Sequence, residues 1–428
     1  MRAFGWLRRL RESERGNVLL ITAAVMPLLV GSAAVGLDTI QMALWKRQLQ
    51  RSADSAALAG AYAVVQDKSP ANAAQADLVI NNQDVPLSSP ALIQQAPPVA
   101  PYAGDPRAVR VVLTAQRNFP FLGFFMGSDP IIEVNATAAA IFQGQYCMVS
   151  LEDGNATGIT FTGSTNVDLG CGVVSNSRSA TAILASGSAR IRATPVGAVG
   201  GVPASTGYVQ PTTLVPYSTK QADPYAGLPR TPSPPSNCQS LGSLDVQPNQ
   251  TRTINTQNTN TAKNFCITGG ADIKGTLNLA PGTYYVDGGQ FALGAQSVLN
   301  GTGVTIILTS STPTVPTSFA DISMHGGAVV NLSSPSSGTY KGVLFYQDPR
   351  TPFGESRING NSASIIDGGL YFPSRQLLFN GNTGLQTRCI QLVARRLTFS
   401  GNSAVQNQCD ETVNGAKAFD ANFVRLVA

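Results

Sequence analysis

The chain has 428 residues, 43% of them apolar, enough for more than one domain and a sizeable core. Charged residues make up only 12% and 42 glycines are present, which excludes a wholly disordered polyelectrolyte and suits many short strands joined by tight turns. Residues 1–16 hold five arginines against Glu12 and Glu14, a local +3 out of a formal +5; the near-neutral remainder excludes a nucleic-acid surface, and a single histidine, His325, excludes most metal-site patterns.

Behind the basic tail, residues 18–37 carry no charge over 20 positions. A helix of that length rises about 30 Å, the thickness of a bilayer's hydrocarbon core. Pro27 falls in its middle, where a membrane helix tolerates a kink. A signal peptide is the competing reading, with Ser32, Ala33 and Ala34 as a cleavage-like region; the length of the apolar run favours an uncleaved anchor. The five arginines before the span outnumber Lys46, Arg47 and Arg51 after it, which places the N-terminus in the cytoplasm. Residues 38–65 lack proline and are rich in Ala, Leu and Gln, so one helix is predicted across 17–65. Ala53, Ala57 and Ala61, with Ala56 and Gly60, make a face of small residues. That face either receives another chain or packs on the protein's own small domain.

From Glu14 to Ala61 the sequence reads ERGNVLLITAAVMPLLVGSAAVGLDTIQMALWKRQLQRSADSAALAGA. Arg15-Gly16-Asn17, the apolar span, Asp38 and the run from Asp54 to Ala61 come in an order that resembles the TadE/TadG-like proteins of tight-adherence (Flp) pilus assembly. The resemblance implies a bacterial inner-membrane, single-pass anchor with its C-terminal region in the periplasm or outside. One departure is Ile21, where prepilin-like members carry a Glu. That favours a large TadG-like accessory protein over a processed pilin.

Residues 66–146 are predicted to form a small α+β domain. It comprises a short helix over 71–82, proline-rich loops over 86–106, and half-buried strands over 109–116 and 130–142. Between the strands, FPFLGFFMG (119–127) reads as buried core, with a membrane-surface contact as the alternative.

From Cys147 to the end, residues 147–428, a repeat emerges. The copies Ile358-Asn-Gly-Asn-Ser362, Phe379-Asn-Gly-Asn-Thr383 and Phe399-Ser-Gly-Asn-Ser403 have looser relatives at Phe161, Ile267 and Met324. A period near 20 residues suits one coil of a parallel β-helix, whose coils must stack to bury their apolar faces. Asn361, Asn382 and Asn402 would then form a hydrogen-bonded ladder. A β-sandwich is the competing architecture. Residues 203–264, rich in Pro, Thr, Asn and Gln, are read as an irregular excursion and not as strands. The predicted fold is therefore mainly β: a transmembrane helix, a small α+β domain, then a β-solenoid.

Cys147, Cys171, Cys238, Cys266, Cys389 and Cys409 form an even set without C-x-x-C, which points to an oxidising compartment, with buried free thiols as the alternative. Strands about 4.8 Å apart bring residues one coil apart within disulfide reach. The pairs 389–409, 147–171 and then 238–266 follow from that spacing. For catalysis, Asp168, Asp272, Asp287, Asp321 and Asp367 are isolated, and His325 reads as a turn residue. No catalytic, cofactor-binding or metal-binding residue is assigned, and no enzymatic activity is expected. The expected function is structural: a membrane-anchored component supporting pilus assembly or surface attachment. Its partners would be the lipid bilayer and other pilus-assembly or envelope proteins. The alternative is an anchored β-helix that binds or cleaves carbohydrate, with glycan as partner.

Overall fold

The computed structural model describes residues 14–66, 68–82, 85–257, 263–359, 361, 363–380, 384–387, 389–407 and 418–427. The protein is mainly β, with a long apolar N-terminal helix and a large sheet. It divides into two units, residues 1–141 with 424–428, and residues 142–423.

In the first unit, helix α1 runs unbroken from Glu14 to Val65, through Pro27. Helix α2 (Pro70–Asn81) follows, with Ser69 as its N-cap and Pro70 at its first position. The cap works because Ser69 Oγ accepts the Asn72 N–H, one of the orphan donors of a first turn. Strands β1 (Leu92–Gln95), β2 (Ala108–Gln116) and β3 (Ile131–Ser150) form an antiparallel set in which β2 pairs with both others. A short helix α3 (Pro120–Met126) lies between β2 and β3.

The small-residue face of α1 is used inside this unit. Ala53, Ala56, Ala57 and Ala61 are fully buried in a core shared with Ala74 and Leu78 of α2 and Val109, Val111 and Leu113 of β2. At Gly60 an added Cβ would lie 2.8 Å from Val109 Cγ1, so the helix sits as close to β2 as a glycine allows. Ala57→Leu is therefore expected to destabilise the unit by about 1–3 kcal/mol through overpacking. Ala76→Leu, on the exposed side of α2, should be near neutral; urea unfolding of both variants checks the contrast.

Two expectations change here. The segment 119–127 is not uniformly buried: Phe119 is, but Phe121, Phe124 and Met126 are exposed, because α3 turns only one side to the core. The chain's end also does not stay with the β body. Val427 N–H donates to Thr137 O (2.8 Å), which satisfies that carbonyl of β3, and Val424 packs on the first unit's core.

In the second unit the strands pair in parallel. Its principal strands are the end of β3, then β4 (Gly172–Ser175), β5 (Val196–Ala198), β6 (Leu214–Val215), β7 (Gln239–Val246), β8 (Asn264–Ile273), β9 (Gly282–Leu293), β10 (Val304–Thr309), β11 (Val343–Gln347), β12 (Ser364–Phe379) and β13 (Ile390–Phe399). Their spatial order is β6-β5-β4-β3-β13-β12-β11-β10-β9-β8-β7. The chain thus enters in the middle at β3, proceeds to β6 at one end, and resumes at β7 at the other. It then works back until β13 meets β3.

Register makes continuous columns of this stack. Tyr284, Ile306, Phe345, Leu370, Leu392, Met148, Val173 and Val196 are successive partners, all fully buried. The looser repeat copy at Phe161 proves to be the spatial neighbour of a clear one: Phe161 aligns with Phe399, which aligns with Phe379. Their rings stack at 5.2 and 4.7 Å. The following glycines stack too. A Cβ on Gly163 would sit 2.9 Å from the Gly401 backbone, and both residues have φ near +70° (74° and 70°), where only glycine is at ease.

The reading of 203–264 as an excursion without strands is corrected. It contains β6, β7 and the short strand Thr251–Thr253. Among the described residues strand β7 ends the stack and pairs on one side, so two buried side chains, Leu244 and Val246, suffice to seat it, and its sequence lacks a full apolar pattern. The connection between β6 and β7 is a strap crossing the strands. Ser218 N–H donates to Ala198 O, and Asn176 and Gln221 exchange two hydrogen bonds of 2.9 Å. Further along, Tyr371 donates to Asp223 (2.7 Å), Tyr346 to Pro229 O (2.7 Å) and Thr309 to Pro232 O (2.7 Å). The contacts progress along the stack, from β5 and the end of β4 to β12, β11 and β10.

Candidate functional site

Helix α1 is long and apolar enough to cross a membrane, and it is the one such helix among the described residues. From Ile21 to Val30 every side chain is exposed, an arrangement that water would penalise and lipid would not. Asp38, the residue after the charge-free run, is buried, at 4% exposure. Its Oδ2 accepts the N–H groups of Phe121 and Leu122, each at 2.8 Å. These are orphan donors of α3's first turn, whose own N-cap, Phe119, offers no side-chain acceptor. Asp38 thus caps α3 from α1. The sequence reading singled out Asp38 as part of a signature but not as a cap, because its partners lie 83 and 84 positions away. Seven residues on, Arg117 lies over the Trp45 ring at 4.0 Å.

Among the described residues, Cys147–Cys171 and Cys238–Cys266 are disulfides that join neighbouring strands. Cys147 in β3 bonds Cys171 just before β4, and Cys238 just before β7 bonds Cys266 in β8; both have Cα separations of 5.9 Å. Cys389 is buried beside β13. Cys409 lies outside the described residues, and with it the 389–409 pairing. Asn382 lies outside them as well. The structure shows a different asparagine ladder, Asn331 donating to Asn300 (3.0 Å), Asn300 to Asn278 (2.9 Å), and Asn278 to Thr253 (3.2 Å), all in register. The apolar-Asn step of Leu277-Asn278, Leu299-Asn300 and Val330-Asn331 is the sequence signal that could have found it.

The isolated aspartates are each engaged separately. Asp168 pairs with Arg192 (3.8 Å) and Asp272 with Lys274 (2.7 Å), both at the surface. Asp287 accepts the Ser311 N–H (2.6 Å), Asp321 pairs with Arg375, and buried Asp367 accepts the Cys389 N–H (3.4 Å). His325 is exposed in a turn closed by Ala328 N–H to His325 O (3.0 Å). Among the described residues no cluster suits a metal ion.

Sequence reasoning missed the most concentrated charge arrangement. Glu152, 2% exposed, accepts from Arg395 Nε (3.0 Å), Arg396 Nε (2.8 Å) and Gly154 N–H (2.9 Å). Burial pushes its carboxyl up, but these three donors outweigh it and hold the group below the usual carboxylate range. Both guanidiniums also lie over Phe353, at 4.7 and 4.9 Å. Under the strap, burial and then the Asp223 charge push Tyr371 far up, so its hydroxyl stays a donor to that carboxylate.

The β body also has a cleft of about 620 Å³ lined by Lys263, Asn264, Tyr285, Ser336, Ser337 and Tyr340, among others. No carboxylate is among its described lining residues. Its surface offers hydroxyls, one cation and two phenol rings.

In comparison with known proteins, residues 16–64 match the family model described as Putative Flp pilus-assembly TadE/G-like. No curated protein and no solved structure matches the chain.

Proposed function

From the TadE/G-like Flp pilus-assembly domain at residues 16–64, we propose that this protein is a membrane-anchored, extracytoplasmic scaffold serving pilus assembly or surface attachment. The observation that carries the reading is coincidence: the family match ends at residue 64 and α1 ends at Val65, so the matched domain is the apolar helix itself. The helix crosses the bacterial inner membrane once. The arginine excess before the span supports a cytoplasmic N-terminus, and the disulfide-linked body is consistent with a position in the periplasm or outside. The body is a parallel β-solenoid, a reading supported by the one-directional pairing of its strands and by its stacked side-chain columns. Its flanks would present a rigid, low-charge surface to other envelope proteins.

Reporter fusions after Leu10 and after Ser150 should read cytoplasm and exterior respectively. A cytoplasmic signal from the second fusion would sink this assignment.

The body is read as non-catalytic. The specific feature that favours the alternative, carbohydrate recognition, is the hydroxyl- and tyrosine-lined cleft. With no carboxyl pair among its described lining residues, that cleft suits binding of a glycan rather than its cleavage. Sustained turnover of acidic glycans by the full-length protein would overturn the non-catalytic reading.

A further inference from the structure

Between Asn17 and Lys46 the sequence contains one charged residue, Asp38, and the structure hides it. Both N–H bonds to its carboxylate come from α3, so the cost of placing an anion at the edge of a bilayer is met by the helix it holds. The exposed surface of α1 therefore stays uncharged beyond the charge-free run, where Ile40 (60%) and Leu44 (58%) continue the apolar exposure of Leu37 (61%) beside the neutral Thr39 and Gln41. Asp38 fixes α3 at this level, one residue past a span that already rises about 30 Å. There α3 exposes Phe121 (46%), Phe124 (83%) and Met126 (61%). A little further along α1 come Trp45 under Arg117 and then Lys46 and Arg47, the aromatic-then-basic sequence typical of a membrane interface.

We propose that α3 is a membrane foot: Phe121, Phe124 and Met126 enter the headgroup-to-acyl boundary of the leaflet in which the charge-free span of α1 ends. Continuity decides the occupant. The apolar side of α3 extends the lipid-facing surface of α1, and Asp38 ties the two together where that surface leaves the hydrocarbon. The foot would fix the depth and tilt of the anchor, since two separated apolar contacts resist rotation where one helix does not. The proposal rests on α1 being the anchor.

The test uses the full-length protein in vesicles of phosphatidylethanolamine and phosphatidylglycerol doped with lipids brominated either near the glycerol end or near the acyl terminus. Trp6 and Trp45 are replaced by phenylalanine, which keeps a ring beneath Arg117, and single tryptophans are introduced by Phe124→Trp, by Met126→Trp and, as a depth reference, by Leu28→Trp. Both α3 sites are exposed, so these substitutions should not disturb the core. The tryptophans at 124 and 126 should emit in the blue and be quenched at least about twofold more by shallow bromines than by deep ones. The tryptophan at 28, about 15 Å deeper along the helix, should show the opposite preference. If 28 is quenched while 124 and 126 are unquenched, whether water-exposed or shielded by protein, the foot is wrong and the anchor stands. If none is quenched, both are wrong.

Discussion

Replacing Phe399 with alanine is expected to destabilise the β body by about 3–5 kcal/mol, the range for deleting a buried phenylalanine. Phe399 is fully buried, and its ring lies between two others, Phe379 at 4.7 Å with planes 4° apart and Phe161 at 5.2 Å with planes 18° apart. Each stacked contact adds about 0.5–1.5 kcal/mol beyond burial. The location raises the stakes, because β13 is where the last strands of the circuit meet the first: Leu392 aligns with Met148 and Phe399 with Phe161. Amides of Ile159–Phe161 and Leu397–Phe399 should therefore lose hydrogen-exchange protection together. Phe399→Leu keeps most of the volume without the ring and should cost less than about half as much. Equal losses in urea unfolding would mean that the three-ring stack is not what joins these strands.

The long apolar helix and its continuation were legible because one stretch carries both signals, a charge-free run and a proline-free, alanine-rich sequel; the structure shows a single helix there. The turn repeats were legible as a period, and the weak copy at Phe161 does sit beside the strong one at Phe399. The order of the stack was not. A repeat says that strands will find equivalent neighbours, but not which, and here β13 pairs with β3 because the strap carries the chain from one end to the other. That strap was read as an excursion because its contacts are hydroxyls of Tyr346, Tyr371 and Thr309, residues that look like ordinary strand positions in sequence. The 119–127 segment shows a different limit: apolar density signals removal from water, but not whether protein or lipid does the removing. Glu152 was invisible for a simpler reason. Its cationic partners are 243 and 244 positions away, so no local spacing announces them.

Those distant partners give Glu152 a measurable signature. Glu152→Gln retains shape and an oxygen for the Gly154 N–H but removes the charge that accepts from Arg395 and Arg396. Hydrogen bonds to charged groups contribute about 1.5–3 kcal/mol each. The guanidiniums keep Phe353 and partial access to water, at 39% and 26% exposure, so the net loss at neutral pH should be nearer about 2 kcal/mol than the sum. Acid should erase the difference. The folded protein holds this carboxyl below its ordinary value of 4.5, so the unfolded chain takes up the proton first as pH falls. The stabilisation is therefore complete above that ordinary value and is lost as pH drops through the depressed folded one. Urea midpoints of the native protein and the variant should differ most at pH 7 and converge progressively below 4.5, with the native protein losing stability and the variant lacking that component of the acid limb. A gap that persists unchanged into acid would show that shape and packing, not the ionised carboxylate, hold Arg395 and Arg396 against the start of the β body.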